Sequence, residues 1–204
     1  MVEPLRPKRG YLWLLLAALV CPSSVFGHRL DELLQATLVT IDPSEVRLQI
    51  NLTPGVAVAE KLLERIDQDH DGKISRAEAN DYAQAVKHDL LFRLDDQNIQ
   101  LELAAGFCPE PAELRTGLGI IQIELRAKTG RLKNGAHKIT IDNRHLPNLS
   151  VYLINATPPG SESIQNIVQK RNQTQSFGEI DFRFHGPRRP LGVLDFMSLA
   201  GLVH

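Results

Sequence analysis

Asp67, Asp69 and Asp71, spaced two apart and followed by Gly72, Ser75 and Glu78, are the residues of this 204-residue chain whose types and spacing could do chemistry. In the run DQDHDGKISRAE they hold positions 1, 3, 5, 6, 9 and 12. That is the spelling of an EF-hand calcium loop, with a glycine at the sharp turn and a glutamate able to give both oxygens at the end. Lys73, at position 7, offers its backbone carbonyl, and Ser75 reaches an ion directly or through water. Converging carboxylates repel one another, and a hard divalent cation removes that cost. Every expected donor is oxygen, with no Cys or His at a ligand position, so the set Asp67, Asp69, Asp71, Lys73, Ser75 and Glu78 points to Ca2+ rather than zinc or copper. His70, at position 4, is expected to point outward, and Ile74, at position 8, to bury its side chain.

Such a loop needs a helix on either side. Before it, Val58, Ala59, Leu62, Leu63 and Ile66 recur at i, i+3 and i+4, one apolar helical face with Glu60, Lys61, Glu64 and Arg65 opposite. After it, Ser75 and Glu78 have capping-box spacing, and Ala79, Tyr82, Ala83 and Val86 continue a second stripe to about His88.

The rest of the chain reads as strands. Leu33 to Ile41 is rich in strand formers, and Asp42-Pro43-Ser44-Glu45 is a turn. Val46, Leu48, Ile50 and Leu52 then alternate with polar residues, the period of a half-buried strand. Beyond the helices, further strands are predicted around Leu91 to Leu94 and, after the turn Asp95 to Asn98, at Ile99, Leu101 and Leu103. The Pro-rich stretch Phe107 to Glu113 is expected to be a loop. The remaining strands are Leu118 to Ala127, Lys138 to Ile141, Val151 to Ile154, Ile164 to Val168 and Glu179 to Phe184. Many short strands separated by turn signals argue a mainly β fold, an immunoglobulin-like β-sandwich over residues 28–185 with a helix-loop-helix EF-hand inserted at 56–88.

The ends carry different signals. Arg6, Lys8 and Arg9 precede an apolar run from Tyr11 to Val20, and Val25-Phe26-Gly27 fits a cleavage site, so residues 1–27 read as a secretory signal peptide with His28 as the mature start. The run is too short to span a bilayer, which needs about 20 apolar residues. Cleavage removes Cys21 and leaves Cys108 without a partner, so no intrachain disulfide is expected and Cys108 reads as a core residue. Residues 186–204 read as a flexible or amphipathic tail that could associate with a membrane surface. The net charge of −1 gives no basic field for nucleic acid.

The signal peptide, the strand pair around LVTIDPSEVRLQINL, the D-x-D-x-D-G-x-I-S-x-x-E loop and the GAHKITIDNRHLP segment resemble the secreted calcium-loop domains of soil and environmental bacteria. The chain is also similar to the extracytoplasmic domains that precede the membrane part of hydrogenase and urease accessory nickel permeases. The resemblance implies export and calcium binding.

One loop, rather than the pair used by sensor proteins, suits an extracytoplasmic interaction or accessory module whose calcium is structural, with an affinity of about 10⁻⁴ to 10⁻³ M. Two other classes compete with it. A mature N-terminal His28 could chelate copper or nickel through its amine and imidazole, with His137, His145 or His185 completing a brace. A hydrolase is the third, but the chain has no G-x-S-x-G, H-E-x-x-H or P-loop, and only those scattered histidines as a catalytic set.

Overall fold

A computed structural model describes residues 31–186. The expected signal peptide, His28 and the tail beyond Gly186 lie outside the described residues. Among the described residues the chain is mainly β, with two five-stranded sheets. Its strands are β1 (Leu33–Ile41), β2 (Glu45–Pro54), β3 (Leu90–Leu94), β4 (Gln97–Asn98), β5 (Leu101–Phe107), β6 (Ile121–Lys128), β7 (Gly135–Asn143), β8 (Ser150–Ala156), β9 (Ile164–Arg171) and β10 (Phe177–Phe184). The helices are α1 (Ala59–Ile66), α2 (Arg76–His88) and α3 (Pro111–Arg115). One sheet has the order β5-β6-β2-β1-β8, the other β4-β3-β7-β10-β9. Neighbouring strands run antiparallel except β1 and β8, which run parallel.

The alternation in β2 decides its face: Val46, Leu48, Ile50 and Leu52 are all buried, as are Ile121, Ile123, Leu125 and Ala127 opposite them on β6. From the second sheet, Phe92, Ile139, Ile141, Ile180 and Phe182 join the same hydrophobic cluster. Each such side chain is stabilised by about 1.5–3 kcal/mol on leaving water.

The chain crosses from the first sheet to the second between β2 and β3, and α1, the acidic loop and α2 make that crossing. The helices are therefore built into the core. Leu62, Leu63 and Ile66 of α1 and Tyr82, Ala83 and Val86 of α2 belong to the cluster that both sheets form. A close approach is at Gly106 of β5, where a Cβ would stand 3.2 Å from that of Ala83. Gly106→Val is accordingly expected to push α2 off β5 and to destabilise the fold by about 1–3 kcal/mol. A denaturant midpoint equal to that of the wild type would show that the helix has room to move.

Several element boundaries differ from the sequence reading. In the expected turn Asp95 to Asn98, only Asp95 and Asp96 turn, with φ of 50° and 65°, while Gln97 and Asn98 pair back onto Leu94 and Arg93. β5 runs past Leu103 to Phe107 through a bulge. The expected loop Phe107 to Glu113 gives way to α3, because Pro111 at its first position is set for helix and Leu114 is fully buried. Arg115 of α3 donates to Glu60 of α1 at 2.6 Å. The strand expected from Leu118 starts at Ile121, and Leu118 stays exposed.

Candidate metal centre

The loop from Asp67 to Ser75 is held at both ends by its helices. At the first end the Asp67 N–H closes α1 on the Leu63 carbonyl at 2.8 Å. At the second, Ser75 and Glu78 form the capping box that their spacing predicts: Oγ of Ser75 accepts the Glu78 N–H at 3.2 Å and Oε2 of Glu78 accepts the Ser75 N–H at 2.8 Å. Ile74 packs partly buried against the core, as its position in the run requires.

Between these ends the backbone turns back on the carboxylates. Gly72 takes φ of 80°, a left-handed conformation that costs glycine least, and His70 takes φ of 58°. Oδ2 of Asp67 accepts from Gly72 N–H at 3.0 Å, Oδ1 of Asp69 from Asp71 N–H at 3.1 Å and Oδ1 of Asp71 from Lys73 N–H at 2.8 Å. One oxygen from each of Asp67, Asp69 and Asp71 falls within 4.8 Å of the others. Oδ1 of Asp67 is buried and has no hydrogen-bond partner. A buried carboxylate oxygen without a donor is costly unless a cation meets it.

Glu78 stands apart from that group. Its Oε1 accepts from the N–H of Gln68 at 2.7 Å and of Asp69 at 3.4 Å, while Oε2 holds Ser75, so the side chain straps the start of the loop to the start of α2. The backbone and hydroxyl of Ser75, joined by the amides of Gln68 and Asp69, hold its carboxyl well below the usual range, at about 2. Of the six expected ligands, the structure gathers the three aspartates and places Ser75 and Glu78 on each other. The N–H of Lys73 binds Asp71.

No family model matches the chain, and no curated protein sequence matches it either.

The histidines are separately engaged. His137 contacts Asp95 Oδ2 through Nδ1 and the Lys133 carbonyl through Nε2, both at 2.7 Å, and stacks on Phe182. It borders a crevice of about 480 Å³ lined by Asp95, Asp96, Lys138, Asp181 and Arg183, none of them from the acidic loop. His145 contacts Asp89 and Tyr82. His185 is exposed at the end of β10, its N–H on the Ser163 carbonyl. The three do not meet. Sequence reasoning missed the pairing of His145 with Tyr82, although a tyrosine in a buried helical stripe needs a partner for its hydroxyl and so signals one. Cys108 is half-buried against the core, and burial pushes its thiol up to about 12, which leaves it almost wholly protonated and unreactive at neutral pH.

Proposed function

We propose that this protein is an exported calcium-binding module in which one EF-hand, inserted into an immunoglobulin-like β-sandwich, has a mainly structural role and serves an interaction or accessory-binding domain. The observation that carries the reading is the unpartnered, buried Oδ1 of Asp67 within a group of three carboxylates. The donors fit a hard cation, since each is an oxygen and all three side chains are already oriented by N–H bonds from their own loop. The rigid setting of the helices supports a structural rather than a switching ion, because opening the pair would expose Leu62, Ile66, Ala83 and Val86. The sandwich reading is supported by two sheets that share one hydrophobic cluster. Export remains tied to the apolar run and the basic residues before it. The resemblance to the extracytoplasmic domains of nickel permeases is carried by the same segment together with the loop, the strand pair and GAHKITIDNRHLP.

The copper or nickel reading finds less support. Both ring nitrogens of His137 and of His145 are taken by protein partners, so either would have to break one of those contacts to complete a brace with His28, which leaves His185, exposed at the end of β10, as the third candidate.

Calcium is expected to bind at 1:1 stoichiometry by calorimetric titration and to raise the melting temperature. At ~1 mM calcium and a Kd of ~10⁻⁴ M the native state gains about 1.4 kcal/mol. A melting temperature indifferent to calcium would defeat the reading. Strong calcium-dependent binding of a hydrophobic dye would keep the site and overturn its structural role.

A further inference from the structure

His145 follows β7 by two residues, is 4% exposed, and spans two points on one face of α2 with its ring. Nδ1 lies 2.8 Å from Asp89 Oδ2, and Nε2 lies 2.9 Å from the Tyr82 hydroxyl. A carboxylate only accepts, so Nδ1 carries the proton and Nε2 accepts from Tyr82. The backbone of His145 is fixed as firmly as its ring. Its carbonyl accepts from Gln35 Nε2 at 2.7 Å and from the Tyr152 hydroxyl at 2.9 Å, and its N–H donates to Asn143 Oδ1 at 3.0 Å. The residue is thus anchored to β1, β7 and β8 on one side and to α2 on the other.

That grip reaches the acidic loop along a single helical stripe. Glu78, Tyr82, Val86 and Asp89 follow one another at spacings of four, four and three, and the first three are buried. A crevice of about 300 Å³ brings Gln68, whose N–H Glu78 holds, to the same lining as Tyr82, Asp89 and His145.

We propose that His145 is a positioning residue for the calcium loop, fixing the rotation of α2 and with it the placement of Glu78 against the three aspartates, and that protonation of its ring releases this lock. The proposal rests on the calcium reading of the loop. The titratable and charged groups facing the ring are Tyr82 of α2, Asp89 at the C-cap of α2 and Arg65 of α1, with Tyr152 of β8 on the carbonyl of the same residue and His88 3.5 Å from the other oxygen of Asp89. A second ring proton would meet the Tyr82 hydroxyl hydrogen and force that hydroxyl to turn from its acceptor. Desolvation lowers the pKa of His145 from 6.5, against the pull of Asp89. The lock is therefore complete above 6.5 and is lost as pH falls through the lower folded-state value.

Calcium titrations of the full chain from about pH 7.5 to about pH 5 test this in the wild type, Tyr82→Phe and His145→Gln. Tyr82→Phe removes one hydroxyl and is expected to weaken calcium about two- to tenfold at the upper pH. His145→Gln can donate to Asp89 and accept from Tyr82 but does not titrate. It should bind close to wild type at the upper pH and lose less affinity on acidification, because only the carboxylates remain to titrate. Profiles of both variants that superimpose on the wild type would overturn the proposal and leave the calcium reading standing. Absence of calcium binding by the folded wild type would remove the reading and the proposal together. Should Tyr82→Phe fail to fold, the His145→Gln profile decides.

Discussion

Asp67→Asn is expected to abolish calcium binding while leaving the calcium-free protein at least as stable as the wild type. The asparagine carbonyl can keep the Gly72 N–H that Oδ2 of Asp67 accepts at 3.0 Å. Its amide then replaces Oδ1, the buried oxygen with no partner, and turns N–H donors toward Asp69 and Asp71. Without calcium, the change removes one of three converging negative charges and supplies a donor, so two destabilising features disappear together. With ~1 mM calcium the wild type gains about 1.4 kcal/mol at a Kd of ~10⁻⁴ M, and the variant gains nothing. The order of stabilities is therefore expected to reverse between chelator and calcium. Paired thermal melts read this directly, with Asp96→Asn in the β3–β4 turn as a control outside the loop. A variant that still shifts with calcium would place the ion elsewhere. A large loss of stability in chelator would make Asp67 a structural acceptor first and a ligand second.

The cluster of Asp67, Asp69 and Asp71 was legible because it is written in local spacing, and the helices on either side because the apolar period changes from two to 3.6 and back. Which of its two possible roles Glu78 takes was not legible. Ser75-x-x-Glu78 spells both a capping box and positions 9 and 12 of a calcium loop, and the sequence does not say which use prevails. In the structure both oxygens of Glu78 hold backbone N–H groups.

The faces of the strands show the same division. In β2 the alternation alone identifies the inner residues. In β1 it misleads, because Gln35 and Thr37 face the core while Leu34 and Leu38 do not. Pairing with β2 sets that register, placing Gln35 opposite Leu52. Gln35 is tolerated inside because its amide donates to the His145 carbonyl and Ser150 and its oxygen accepts from Asn143. Those partners lie more than 100 residues away in sequence, beyond the reach of any local pattern. The end of β5 was hidden for another reason: Ala104 to Phe107 are exposed and mostly small, so they carry no alternation to read.

Leu62→Ala is expected to cost about 2–5 kcal/mol, and to cost the sheets as much as the helices. Leu62 is fully buried in α1, within a cluster that also holds Leu48 of β2 and Ile123 of β6. Truncation leaves a cavity within that cluster, where a rigid core collapses only in part. An inserted helix pair that merely decorated the fold would melt by itself and leave the strands intact. Here the pair carries six cluster members, Leu62, Leu63, Ile66, Tyr82, Ala83 and Val86, and forms the first crossing between the sheets, from β2 to β3. One cooperative transition is therefore expected in denaturant, with helical circular dichroism and amide-exchange protection of β2 and β6 lost together in wild type and variant alike. Loss of the helical signal at a lower denaturant concentration than the strand protection would make the pair a separate unit. The acidic loop could then stabilise only its own two helices. If the two signals stay together, the calcium proposed to bind between α1 and α2 would stabilise both sheets through the hydrophobic cluster they share with the helices.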